Sequence, residues 1–298
     1  MITKTLFFFE KLAYTSYGIV KILKGTTFRQ QIKKQSANET ACYILGNGPS
    51  LHKDIEKCKL YAEPKNLIAV NRFASSDLYT KLMPNYYVLA DPAFYIDSFD
   101  PKLQASIQHF FVDLNEKSNW PMTLFVPFEG QKKIQFLLKN HKNITITGFN
   151  KVNTWKGFKW FDRWVYNHQW AVVSGYNVIM TTIHIAIAAG FNIIYLLGVD
   201  HTWHKNVIVG EDNLLYEYDT HFYDTENIKL TPVLVEEPDN VRFFKLHELF
   251  HVLNKTFETY HYIEDYAKYK KVKIFNCTAD SYIDAFERIK YLEEEEKP

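Results

Sequence analysis

The feature that most constrains the fold of this chain is an apolar run that ends abruptly at two glycines: Cys42-Tyr43-Ile44-Leu45-Gly46-Asn47-Gly48-Pro49-Ser50-Leu51. Gly46 and Gly48 allow a tight turn and a close approach of a ligand to the backbone. Pro49 has a fixed φ, and Ser50 is a favoured helix N-cap residue that also offers a hydroxyl. The stretch therefore predicts a strand, a turn and a helix start, where N–H groups can bind an anion. A βα turn without a ligand fits the same residues.

Strand and helix patterns alternate after this turn. We predict strands at 41–45, 66–70, 86–90, 110–113, 124–126, 143–147, 192–197 and 272–275, and helices at 53–61, from about 131, and at 176–189, 244–270 and 282–292. The run 192–197 is apolar on both faces, as in a central parallel strand. The pattern predicts one α/β domain with a doubly wound, mainly parallel sheet and right-handed crossovers.

Polar residues follow four of the predicted strands: the Gly46–Ser50 turn, Asn71-Arg72, Asp91, and Asp200-His201. Ligands of doubly wound sheets bind at the carboxyl ends of the strands. The four polar ends therefore predict a single binding site.

The first 40 residues differ in composition from the rest of the chain. Residues 1–35 carry seven cations and a single anion, Glu10, among many apolar side chains. We predict a basic amphipathic segment at 1–40 that lies on an anionic membrane surface, or else packs on its own domain. The whole chain has a formal charge of only +1, which argues against a general nucleic-acid coat. Three scattered cysteines suggest neither a disulfide framework nor a zinc site and fit a cytoplasmic setting.

Residues 201–245 are polar and aromatic with little periodicity, as in a functional lid or a disordered loop, and their seven aromatic residues favour the lid. Asp200, His201 and His204 have the character of metal ligands. His247-Glu248-Leu249-Phe250-His251 matches HExxH letter for letter, although the βα alternation around it is not the architecture of a zinc protease. His247, or next His251, is alternatively a general base for an acceptor hydroxyl.

Four motifs together resemble a known group. They are Gly46-Asn47-Gly48-Pro49-Ser50-Leu51, Asn71 after a strand, Ser174-Gly175 before an apolar helix, and Gly198-Val199-Asp200 after a strand. Over roughly residues 41–290 they resemble the bacterial sialyltransferases of glycosyltransferase family 42 and the related MptE-like (DUF115) proteins found among surface-polysaccharide genes and flagellin-glycosylation factors. The resemblance implies one Rossmann-like domain at 41–298, a GT-A variant with a lid, that uses CMP-linked acidic sugars without a metal and with a histidine base.

Carried over by position, the resemblance implies a donor and nucleotide site made of Gly46, Asn47, Gly48, Pro49, Ser50, Asn71, Ser174, Gly175 and Asp200. To this predicted site we add Arg72, Asp91, His201 and Thr202 at the strand ends, and Tyr216 and Tyr218 of the lid, either of which could replace a tyrosine that the family has at Thr202. The chain departs from the family at three positions, where Asp91 replaces an Asn, Ala171 an Arg, and Thr202 a Tyr. These changes touch phosphate and carboxylate recognition, so the donor need not be CMP-sialic acid.

We therefore expect a glycosyltransferase at the cytoplasmic membrane face that transfers a nucleotide-activated sugar to a glycan or glycolipid acceptor of the cell surface. No nucleic-acid partner is expected, and a homo-oligomer is compatible with the sequence. Two alternatives stay open. One is a pterin pyrophosphokinase of the MptE type, in which Asp91 and Asp200 would hold Mg²⁺ against phosphates. The other is a relative that binds a nucleotide without catalysis.

Overall fold

A computed structural model describes residues 2–29, 32–34, 41–61, 66–97, 101–139, 141–174, 177–218, 230–237 and 240–289. The helices in this part are α1 (Ile2–Gly25), α2 (Leu51–Lys57), α3 (Leu78–Leu82), α4 (Pro101–Lys117), α5 (Phe128–Leu137), α6 (Lys159–Asn167), α7 (Val178–Ala188) and α8 (Leu246–Tyr269). None of these described helices combines the length and the apolar character that crossing a bilayer requires.

The central element is a parallel sheet of eight strands: β1 (Ala41–Leu45), β2 (Leu67–Val70), β3 (Tyr86–Val88), β4 (Met122–Pro127), β5 (Ile144–Phe149), β6 (Ile193–Leu197), β12 (Lys273–Asn276) and β13 (Glu287–Arg288). Their order is β13-β12-β6-β1-β2-β3-β4-β5, and every neighbouring pair is parallel. The chain runs from β1 to β5 in one direction and returns to the other side of β1 with β6. The predicted doubly wound α/β fold is confirmed, and its topological switch point lies between β1 and β6.

The sheet has a hydrophobic core on each face because its side chains alternate in direction. Ile44 and Ile68 point into one core with α6, α7 and α8, whereas Leu45 and Ala69 point into the other with α2 to α5. Both cores are composed of fully buried aliphatic and aromatic side chains. This double burial holds the strand ends, and therefore the polar residues that follow them, in fixed positions.

The lid region is partly regular. Three antiparallel strands, β7 (Val207–Val209), β8 (Leu215–Tyr218) and β9 (Leu230–Pro232), form a small sheet, and β10 (Leu234–Glu237) pairs with β11 (Asn240–Phe243) in a hairpin. Residues 219–229 and 238–239 of the predicted lid lie outside the described residues. The sequence of 201–245 predicts little regular structure, whereas its described part contains these five short strands.

Two predicted elements are wrong. The strand at 110–113 is part of α4, where Ile107, Phe110, Phe111 and Leu114 are buried at helical spacing. A short apolar run is compatible with either structure until its neighbours are included. The helix at 282–292 is absent from its described part, 282–289. There Tyr282 N–H donates to Asp200 O (2.9 Å), so this backbone is bonded to the end of β6 instead.

Candidate functional site

A cleft of about 800 Å³ opens at the carboxyl ends of β1, β2 and β6, at the switch point of the sheet. Nine residues predicted for the site line it: Gly46, Asn47, Gly48, Pro49, Asn71, Asp200, His201, Thr202 and Tyr218. Residues that the sequence reasoning did not single out complete the wall, among them Asn177, Trp203, Asn206 and Glu217. Three of the four polar strand ends, those of β1, β2 and β6, therefore lie around this cleft, and their role in binding stays a prediction.

The two glycines of the opening turn pack strand ends together. The N–H of Gly46 donates to Leu197 O and that of Gly48 to Gly198 O, both at 2.8 Å. A Cβ atom at Gly46 would overlap with the carbonyl oxygen of Gly198, and one at Gly48 would overlap with the carboxylate of Asp200. These two N–H groups are therefore bonded within the protein and are not available to a phosphate, contrary to the simplest phosphate-loop model.

A buried pair of carboxyl groups lies directly beneath this turn. The hydroxyl of Ser50 is 2.9 Å from Asp54 Oδ2 and 3.0 Å from Asp200 Oδ2, and the Ser50 N–H also donates to Asp200. One hydroxyl proton cannot serve two ionised carboxylates, so the second contact is favourable when one of the carboxyl groups is protonated. Burial raises the pKa of Asp200 to about 6, assisted by the nearby charge of Asp54, and burial also raises the pKa of Asp54.

This pair predicts an unusual dependence of stability on pH. Because the folded pKa of Asp200 lies above its unfolded value, the folded state binds more protons between about pH 4 and 6. The free energy of unfolding should fall by about 2 kcal/mol as the pH rises through this window. Asp200→Asn should remove most of the decrease, the remainder coming from the raised pKa of Asp54, so this variant should be the more stable protein at pH 8 but not at pH 4.5. Chemical denaturation at both pH values measures this, and a wild-type decrease retained in full by Asp200→Asn would contradict it.

Two asparagines that line the cleft have unpartnered amide oxygens. Asn47 Oδ1 and Asn71 Oδ1 are both buried, and neither has a hydrogen-bond partner among the described residues. Asn71 also has a φ of +50°, and the buried Tyr87 fixes it in this conformation by donating to its carbonyl oxygen at 2.6 Å. Unsatisfied buried polar atoms and strained backbone are costly and are concentrated at functional sites. The two oxygens are suited to accept hydrogen bonds from a bound ligand.

His201 is a buried residue that positions its neighbours. Its Nε2 atom is 2.6 Å from the Tyr260 hydroxyl and 3.1 Å from Asn177 Nδ2, and both partners can donate to it. Burial lowers the pKa of His201 to about 3, so the imidazole is neutral at physiological pH. Asn177 Nδ2 can only donate, so His201 Nε2 accepts from it and orients Asn177, whose Oδ1 in turn caps α7 by accepting from the Ile179 N–H at 2.6 Å. An Asn directly before an apolar helix was the sequence signal for Asn177.

A second lobe adjoins the cleft and shares Asn71, Asn177, Val178 and Trp203 with it. The predicted residues Asp91 and Ser174 line this lobe together with Lys151. Burial lowers the pKa of Lys151, while the charges of Glu129 and Asp91 act in the opposite direction. Lys151 places a cation beside the cleft. This chain has Ala171 at the position where the family 42 sialyltransferases that it resembles have an arginine.

Other predicted residues do not line either lobe. His247 and His251 are exposed on the first turns of α8. Arg72 and Tyr216 also lie outside the lining, and Tyr216 donates to Asp212 at 2.7 Å. Ser50 acts beneath the cleft as described above, and Gly175 lies outside the described residues. The assignment of His247 or His251 as the base stays a prediction.

The sequence suggests two candidate metal sites, the HExxH motif and the group of Asp200, His201 and His204. Neither fits the contacts of the described side chains well. Arg242 binds Glu248 of the HExxH motif through both carboxylate oxygens at 2.8 Å, and Glu248 also caps α8. His201 is committed to Asn177 and Tyr260, while the His204 ring packs against Tyr282 with ring centroids 4.4 Å apart. Within the described ranges, no three His, Cys, Asp or Glu side chains converge as a metal cluster.

Comparisons with known proteins agree with part of the resemblance. The family model described as 6-hydroxymethylpterin diphosphokinase MptE-like matches residues 18–206. Among solved structures, the MAf glycosyltransferase from Magnetospirillum magneticum AMB-1 is similar with a TM-score of 0.48 and 16% identity, over 94% of this chain and 38% of that protein. This chain therefore spans less than half the length of that glycosyltransferase. A comparison with curated protein sequences gave no match.

Proposed function

Since the chain belongs to the MptE-like family, we propose that it is a transferase that binds an activated nucleotide in the cleft at the ends of β1, β2 and β6. The proposed reaction moves a sugar from a nucleotide-linked donor to a cell-surface glycan or glycolipid. The observation that carries the proposal is the pair of unpartnered, buried amide oxygens of Asn47 and Asn71. Ribose hydroxyls and a base amino group are donors that would satisfy them.

The two lobes fit the two parts of such a donor. In the proposed arrangement the nucleotide occupies the lobe between Asn47, Asn71 and Trp203, and the sugar extends into the lobe lined by Asp91 and Ser174. Lys151 provides a charge that would attract the carboxylate of an acidic sugar. Lys151 supports an acidic sugar in the donor, and the CMP part of the proposal rests on the resemblance to the family 42 sialyltransferases.

The chemical step would be an inverting displacement. An acceptor hydroxyl attacks the anomeric carbon, the bond from that carbon to the phosphate oxygen breaks, and the acceptor proton passes to a base. The two candidate bases are His247 and His251. His247→Ala should lower the transfer rate by about 10²–10⁴-fold, because a general base contributes an effect of that size. His109→Ala, an exposed histidine on α4, is the matched control, and full activity of both His247→Ala and His251→Ala would exclude α8 as the source of the base.

A pyrophosphokinase is the second candidate function, favoured by the description of the matching family model. Such an enzyme would need Mg²⁺ to neutralise the phosphates of ATP. Asp200, Asn47 and Asn71 would supply the hard oxygen ligands that Mg²⁺ prefers. Against this, protonation of Asp200 near its pKa of about 6 competes with metal binding, and Asp91 lines the other lobe.

One assay separates these functions. The purified protein is incubated with CMP-, UDP- and GDP-linked sugars without metal, and with ATP, Mg²⁺ and 6-hydroxymethylpterin, while released nucleotide is measured. We expect CMP release from a CMP-linked acidic sugar, and a Lys151→Ala variant should lose about 10-fold or more of this rate. AMP formation that depends on the pterin and on Mg²⁺ would favour the kinase. Release in none of the reactions, with retained nucleotide binding, would favour a non-catalytic relative.

A further inference from the structure

The side of the molecule formed by α1 and α6 has an unusual surface. Only a narrow stripe of α1 faces the domain, with Thr15, Gly18 and Ile22 buried at helical spacing. Large apolar side chains of α1 point outward, and Leu6 and Leu23 are each 70% exposed. A helix of a monomeric soluble domain normally turns this kind of side chain toward the core. Such contiguous exposure marks an interaction surface.

This surface extends beyond the N-terminal segment onto α6. Trp160 and Trp164, one helical turn apart, are 67% and 45% exposed. The ring of Phe8 lies 5.6 Å from that of Phe158, which stacks on Trp160, and Phe28 lies 5.2 Å from Trp170, which contacts Trp164. The aromatic rings of both helices therefore form one surface. We call its outward side chains the docking face: Leu6, Phe7, Phe9, Leu23, Phe28 and Trp160.

The docking face is held rigidly against the domain. Lys11 and Lys21 of α1 donate to the carbonyl oxygens of Lys156 and Asn153, at 2.9 and 2.5 Å. The Thr15 hydroxyl accepts from the N–H of Phe158 at 2.9 Å. These polar contacts fix α1 beside α6, so their exposed rings point outward together.

The docking face is accompanied by cations on α1 and in the residues that follow it in the chain. Lys4, Lys24, Arg29, Lys33 and Lys34 make no ion pair within the described part of the chain. Exposed aromatic rings with lysines around them match the boundary between lipid headgroups and acyl chains. A second copy of the chain is a poorer occupant, because a symmetric dimer through this face would bring two sets of cations together.

We propose that the docking face binds the surface of an anionic bilayer, with the rings of α1 and α6 inserted at the headgroup level. A groove of about 1450 Å³ between α1 and the ends of β4 and β5 is lined by Lys21, Lys24 and Lys151, and Lys151 also lines the second lobe of the cleft. The groove therefore connects the helix that carries most of the docking face with the second lobe of the cleft. An acceptor held in the same membrane would reach the site along this groove.

Vesicle co-sedimentation tests the proposal without any donor or acceptor, so its outcome is independent of the proposed function. Wild-type protein should bind phosphatidylcholine vesicles that contain about 30% phosphatidylglycerol at least ~10-fold more tightly than vesicles of phosphatidylcholine alone. Trp160→Ser and Phe7→Ser should each weaken binding by about 5-fold or more. Phe136→Ser, which changes an 80% exposed phenylalanine on α5, is the matched control and should bind as wild type.

Trp160→Ser is the most informative variant, because Trp160 lies on α6, outside the N-terminal segment. Its substitution weakens vesicle binding only if α1 and α6 share one membrane-binding surface. Unfolding curves of the three variants verify that each is folded. Absence of binding to anionic vesicles would overturn the proposal, and so would an equal loss in Phe136→Ser. A dimer in sedimentation velocity that Trp160→Ser dissociates would also overturn it, in favour of a second copy as the occupant.

Discussion

Replacing Asp54 by alanine is expected to lower the free energy of unfolding by about 3–5 kcal/mol, the largest effect on stability that we predict. Asp54 is fully buried and accepts from the N–H groups of Gly198 (2.9 Å) and Ala279 (3.2 Å) and from the Ser50 hydroxyl. Its carboxyl group thereby ties the ends of β1, β6 and β12 together. Alanine would leave the N–H groups of Gly198 and Ala279 without this acceptor, which costs more than the net value of the bonds.

Urea unfolding followed by circular dichroism measures this effect. Asp77→Ala is the matched control, because Asp77 is exposed and pairs with Lys81 on the surface, so its loss should cost less than about 1 kcal/mol. Equal and small effects of the two substitutions would show that Asp54 does not hold the strand ends. Nucleotide binding by Asp54→Ala should also weaken, since the cleft is built on these ends.

Gly48→Ala is expected to have the largest effect on ligand binding. Gly48 does not require a positive φ, so alanine is compatible with its backbone, and the added methyl group is the whole change. That methyl would overlap with the Asp200 carboxylate and lie 2.7 Å from Gly198 O, so Asp200 must move and β1 must separate from β6. We expect nucleotide affinity to fall about 100-fold or more, with about 1–3 kcal/mol of lost stability from overpacking.

Gly25→Ala is the control for Gly48→Ala. Its added methyl would meet only a side-chain atom of Val152, at 3.2 Å, on the far side of the sheet from α2. Calorimetric titration with the nucleotide compares both variants with the wild type. Wild-type affinity in Gly48→Ala would show that the cleft between β1 and β6 is not the nucleotide site.

The sequence was sufficient for the features that depend on local pattern. The apolar runs before Gly46, Asn71 and Asp200 are strands that end at one edge of a parallel sheet, as predicted. Periodicity failed where tertiary contacts decide the structure. The segment after Asp280 looks helical, but the Ser281 hydroxyl donates to Val199 O and the Tyr282 N–H donates to Asp200 O, at the end of β6.

The site was predicted less completely than the fold, for physical reasons. Asp54 reads as an ordinary polar residue of a short amphipathic helix, and nothing local shows that it reaches two other strand ends. Lys151 and Tyr260 are distant in sequence from the motifs and come to the cleft only through the packing of β5 and α8. Gly46 and Gly48 lie in the predicted turn after β1, but they allow close packing of the strand ends rather than phosphate binding.

Nucleotide binding by Asn71→Gly tests most directly whether the cleft at the ends of β1, β2 and β6 is the nucleotide site. Glycine keeps the positive φ at this position and removes an amide oxygen that has no partner, so the variant should stay within about 1 kcal/mol of wild-type stability. Asn213→Gly makes the same change at a φ of +59° in the turn between β7 and β8, and is the control. We predict that CMP raises the melting temperature of the wild type and of Asn213→Gly but not of Asn71→Gly. Equal stabilisation of all three proteins by CMP would contradict the assignment of this cleft as the nucleotide site.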